Sequence, residues 1–114
     1  MNHAPDWTDR ELAKGRVLQR KLRAVFSSKQ PFAEDSARAV TLICDQAVLT
    51  ISDEYCQAMF CEVDGYAQKV LQTGRRNTAT IRIVLDAIQH RLESLQLRPS
   101  RERVTPAAAT LSKF

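Results

Sequence analysis

The stretch whose reading decides the fold is residues 40–74, VTLICDQAVLTISDEYCQAMFCEVDGYAQKVLQTG. It has no proline, and its only glycines are Gly65 and Gly74. Apolar side chains at Val40, Cys44, Ala47, Ile51, Tyr55, Ala58 and Met59 follow helical spacing. A second row, Leu42, Leu49, Cys56, Phe60, Val63, Ala67 and Leu71, lies beside the first, and the polar row of Gln46, Asp53, Gln57, Asp64 and Gln68 is narrow. A helix apolar over so wide an arc is sandwiched between other elements. Upstream, Pro31 suits a first helical position, and Glu34 and Asp35 suit the positive end of a helix dipole. Downstream, Gly74 suits a left-handed cap. Unbroken, this helix has ~38 residues and runs ~57 Å. The alternative is a break near Thr50–Asp53, with Ser52 capping a new helix.

Shorter helices flank it. Thr8 and Glu11 form a T-x-x-E capping box, which satisfies free N–H groups at the start of a first helix. Its apolar face is Leu12, Leu18, Leu22, Val25 and Phe26, and Ser27, Ser28 and Pro31 end it. After Arg75-Arg76-Asn77-Thr78, a last helix capped by Thr78 or Thr80 carries Ile81, Val84, Leu85, Ile88, Leu92 and Leu95 at i, i+3, i+4, i+7 spacing. It stops before Pro99. The expected architecture is therefore all-α, with three helices ordered short–long–short. Residues 1–7 form an N-terminal arm, 8–98 a single helical domain and 99–114 a C-terminal tail. Too little chain flanks the long helix to hide its apolar rows. This implies an obligate dimer or a subunit of a larger assembly, meeting its partner through Val40, Ile51, Tyr55, Met59, Phe60, Val63, Leu71, Ile81, Leu85 and Ile88.

Composition narrows the function classes. The 114 residues suffice for one domain. The charged fraction of 26% and hydrophobic fraction of 44% match a globular protein rather than a disordered one. No apolar run reaches the length of a membrane span, and the N-terminal residues lack a signal-peptide layout. Cys44, Cys56 and Cys61 are an odd set without disulfide-framework spacing, which points to a reducing intracellular compartment. Cys56 and Cys61 would stand ~140° apart on a helix, and His3 and His90 are distant in sequence, so no metal site is expected and the thiols read as small buried hydrophobes. Three isolated glycines make no phosphate loop, and no nucleophile–base pattern is visible. A non-enzymatic protein without a cofactor is expected.

The formal charge of +4 hides a pattern. Residues 1–32 carry seven Lys/Arg and three Asp/Glu, residues 33–64 one and seven, and residues 65–114 nine and three. Two basic ends thus surround an acidic middle.

The segment Ala67–Thr80, with Arg75, Arg76 and Thr78, followed by Ile81-Arg82-Ile83-Val84-Leu85-Asp86-Ala87-Ile88, resembles loop two and the last helix of a histone fold. Leu18–Phe26, then Gln30-Pro31-Phe32 and Glu34-Asp35, is similar to the first helix and loop of the histone-fold subunits of the general transcription factor TFIID. The resemblance covers roughly residues 17–97. It departs from the family in the Pro31–Gly74 stretch, about three turns too long for the central helix, and in lacking a long basic tail. It implies a heterodimer in nuclear chromatin or transcription complexes. Arg75, Arg76 and Thr78, with Arg16, Arg20, Lys21 and Arg23 of the first helix, would then contact DNA phosphates without reading sequence. The alternative is a helical structural or adaptor subunit of a multiprotein assembly that binds no nucleic acid.

Overall fold

A computed structural model describes residues 7–75 and 78–98. Four helices make up the fold: α1 (Asp9–Ser27), α2 (Glu34–Thr50), α3 (Glu54–Thr73) and α4 (Thr78–Gln96). The long central helix of the short–long–short arrangement does not form. Its residues fold back on themselves as the α2–α3 hairpin, so the described residues are all-helical, with four helices rather than three.

The break lies at Ile51-Ser52-Asp53, inside the interval that the sequence leaves open. Ile51 turns to extended backbone at φ −98°, ψ 125°, and its N–H donates to the Ala47 carbonyl at 2.8 Å. The Ile51 side chain is buried, which holds the corner against the core. Asp53, not Ser52, caps α3: its carboxylate accepts the Cys56 N–H at 3.1 Å. The Ser52 hydroxyl instead donates to Glu11 Oε2 at 3.0 Å, tying the corner to the start of α1. Arg91 of α4 clamps Asp53 through two bonds of 3.1 and 2.8 Å. A carboxylate that serves one helix start and one guanidinium stabilises this corner.

Elsewhere local chemistry acts as expected. Thr8 and Glu11 complete the capping box, with both bonds at 3.2 Å. Gly74 ends α3 with φ 70°, a conformation that costs other residues a Cβ clash. Pro31 does not open α2. That helix starts at Glu34, with the Ser36 hydroxyl accepting the Ala33 N–H, while Phe32 stacks on Phe26 at 5.6 Å between ring centroids.

Each helix packs on its chain neighbour, and α4 closes the ring against α1. Bonds across the seams run in opposite senses. Gln19 and Arg23 of α1 reach Leu85 and Asp86 of α4, and Thr41 and Gln57 of α2–α3 reach Asp64 and Val48. The result is an up-down-up-down four-helix bundle. Its core holds Leu12, Leu22, Phe60, Ile88, Leu92 and Leu95, each at most 1% exposed.

This packing overturns the assigned partner interface. Val40, Ile51, Phe60, Val63, Ile81, Leu85 and Ile88 lie buried inside the chain's own bundle, Met59 and Leu71 are partly covered, and only Tyr55 is open. Two antiparallel helices of the hairpin cover one another and pack on α1 and α4. The argument for an obligate partner, which assumed one uncovered rod, therefore falls. Turning the corner also changes the phase of the second apolar row: Leu42 and Leu49 are 65% and 88% exposed. Cys44 and Cys56 are buried as the small-hydrophobe reading requires, but Cys61 is exposed.

Candidate nucleic-acid interface

The bundle converts the linear charge pattern into a transverse one. α1 carries Arg10, Lys14, Arg16, Arg20, Lys21 and Arg23 against Asp9 and Glu11, both of which lie in its first turn. α2 has one cation and three acids, α3 one and three, and α4 two and two. One corner of the bundle is therefore basic, and the α2–α3 hairpin is acidic.

Arg16, Arg20 and Arg23 recur at i, i+4 and i+7, which places them on one edge of α1, beside α4. With Gln19, Gln89 and Glu93 they line an open groove of about 420 Å³ between the two helices. Gln19 is buried at its floor, its amide nitrogen donating to the Leu85 carbonyl at 3.1 Å. Arg23 donates through Nη2 to Asp86, an ion pair, and to Gln89 Oε1 at 3.1 Å. The Arg23 hydrogen bond holds the Asp86 carboxyl below the usual carboxylate range. Arg16 donates to Gln96 Oε1. Arg20 and Lys21 are exposed, and among the described residues neither they nor Lys14 form an ion pair.

The other expected contacts lie elsewhere. Arg75 follows the α3 cap and is exposed; its N–H donates to the Thr73 hydroxyl at 3.2 Å. The antiparallel topology brings it to the end of the bundle where α1 finishes. Arg76 and the Thr78 side chain lie outside the described residues. The structure thus gathers Arg16, Arg20 and Arg23 on one edge, leaves Lys21 on the outer face of α1, and sets Arg75 at an end. Sequence reasoning missed Asp86, Gln89 and Gln96, which accept from the arginines, and Glu93, which lines the same groove and accepts from Gln89. They follow one another at about one turn along α4, but nothing local marks them as facing α1.

A second open cavity, about 470 Å³, sits at the α2–α3 corner between Trp7, Ser52, Asp53, Glu54, Tyr55 and Arg91. Its strongest charges pair with each other. Burial pushes Asp53 up, but the Arg91 and Cys56 hydrogen bonds outweigh it and leave the carboxyl below its usual range. Arg91 also lies over the Tyr55 ring, 5.6 Å from its centroid. Among the described residues no cluster of three or more His, Cys, Asp or Glu side chains is placed to hold a metal ion, and no helix is long and apolar enough to cross a membrane. Comparison with protein-family models, with curated proteins and with solved structures finds no match to this chain.

Proposed function

We propose that this chain is a non-enzymatic helical subunit that docks on nucleic-acid backbones through the cationic face of α1. The observation that carries the reading is the concentration of six cations on one helix, with Lys14, Arg20 and Lys21 free of ion pairs among the described residues. Unpaired cations on a rigid helix release counterions when they meet phosphates, which gives affinity without base readout. The reading keeps the phosphate contact implied by the histone-fold resemblance and dispenses with the three-helix heterodimer. The free thiols accord with a reducing compartment, the nucleus among them.

The test is binding of an arbitrary-sequence DNA duplex, followed by fluorescence anisotropy over a salt series. Each phosphate contact adds about −0.9 to the slope of log K against log salt, so Arg20→Ala with Lys21→Ala should flatten the slope by about 1.8. Absence of binding at low salt rejects the proposal.

A second reading, a protein adaptor, is favoured by Leu42 and Leu49, exposed seven residues apart on the outer row of acidic α2. A complex that survives nuclease treatment and is lost in Leu42→Glu with Leu49→Glu would support that reading instead.

A further inference from the structure

We infer that Asp86 is a built-in competitor for phosphate, holding Arg23 back from the ligand in the α1–α4 groove. The inference rests on the phosphate-binding reading and adds to it a regulated arginine. Arg16, Arg20 and Arg23 span ~10.5 Å along α1, and all three line the groove together with Glu93, Gln19 and Gln89. They are not equally available. Arg20 is exposed and without an ion pair among the described residues, whereas Arg23 spends one nitrogen on both the Asp86 carboxylate and the Gln89 carbonyl. Arg16 is engaged by the Gln96 carbonyl.

A carboxylate presents to guanidinium the same oxygens, with the same sign of charge, that a phosphate does. The pair is also open: the side chains of Arg23 and Asp86 are 31% and 48% exposed. Ion pairs this exposed add little to folding, so the bond can be exchanged for one to a ligand without loosening the bundle. Only Nη2 of Arg23 is taken, so a phosphate entering the groove at Arg20 gains those N–H groups, and an Arg23 charge no longer offset by a carboxylate, only by displacing Asp86. Carboxylate and phosphate compete for the Nη2 N–H groups and for the Arg23 charge, and no covalent step is involved. Affinity is thereby set below what the cation count of α1 would give.

The experiment compares the full chain with Asp86→Asn, Asp45→Asn, Arg23→Ala and the Arg23→Ala/Asp86→Asn double variant, titrated with one DNA duplex across salt. Asp45 is an exposed acid on α2, away from the groove, so its variant adds the same unit of charge elsewhere. Asp86→Asn should bind several-fold more tightly, with a slope steeper by about 0.9, one added phosphate contact. Asp45→Asn should change the affinity less than twofold. In the Arg23→Ala background the Asp86→Asn gain should vanish. Equal gains from Asp86→Asn and Asp45→Asn, or a gain that persists without Arg23, overturn the competitor and leave the phosphate reading standing. A wild-type chain that shows no salt-dependent binding overturns both. Thermal melts of each variant establish that the bundle is intact.

Discussion

Asp53→Ala tests why the chain folds as a bundle at all. The carboxylate performs two tasks at the α2–α3 corner: it caps α3 through the Cys56 N–H at 3.1 Å and receives two Arg91 bonds at 3.1 and 2.8 Å. Loss of a helix cap costs about 1 kcal/mol. Hydrogen bonds to a charged group contribute about 1.5–3 kcal/mol, and the pair is well placed for that range, with side chains 7% and 31% exposed. The combined loss is about 2.5–4 kcal/mol, which lowers Tm by roughly 10–20 °C in a domain of this size. Asp53→Asn keeps a capping oxygen and loses the charge, so about half the loss is expected. Arg91→Ala should cost less in the double variant than alone, because its partner is already gone. Urea denaturation followed by circular dichroism measures each value. The pH dependence has a definite sign. The folded carboxyl lies below its ordinary value, so its contribution is present above the unfolded pKa and is lost as pH falls through the folded one. Asp53→Ala should therefore show a flatter stability profile at the acidic end. A stability within about 0.5 kcal/mol of wild type, the scatter of an ordinary surface substitution, would refute the clamp.

Other outcomes follow from the same geometry. Ser52→Ala with Asp53→Ala removes the polar anchors of a three-residue corner and favours a continuous helix, so light scattering should detect a dimer that exchanges α3 and α4 between copies; a strictly monomeric variant would contradict this. Burial pushes the Cys44 and Cys56 thiols up to about 12, while Cys61 is exposed, so maleimide should label one thiol per folded chain and three in denaturant. At Gly15 a Cβ would meet Ile51 Cδ1 at 2.9 Å and Leu92 Cδ2 at 3.1 Å. Gly15→Val should cost about 1–3 kcal/mol by overpacking. Gly15→Ala should be close to neutral, since a helix gain of about 0.5–1 kcal/mol offsets the shift of two flexible side-chain tips. Urea midpoints distinguish these two variants.

Much of the secondary structure is legible in the sequence because it depends on neighbours within four residues. The Thr8–Glu11 box, the Gly74 cap and the Ile81–Leu95 stripe all reappear where the spacing puts them. The candidate site is half legible by the same standard. The i, i+4, i+7 spacing of Arg16, Arg20 and Arg23 fixes their common edge, but their availability depends on Asp86, Gln89 and Gln96, at least 63 residues away along the chain.

Residues 40–74 mark the boundary between the two kinds of information. Their helical periodicity is local, and the sequence by itself determines that nearly all of them are helical. Whether they form one rod or two helices depends on Ile51-Ser52-Asp53, where the sequence admits either. The tertiary structure decides it. Arg91 reaches Asp53 from 38 residues away, Glu11 takes the Ser52 hydroxyl, and Ile51 enters the core. None of these contacts exists until α1 and α4 are in place, so no pattern within residues 40–74 can announce them. Closing the hairpin covers apolar rows that a rod would have left for a partner. In that way the long-range clamp, rather than local helix propensity, makes the chain a bundle that buries its own core.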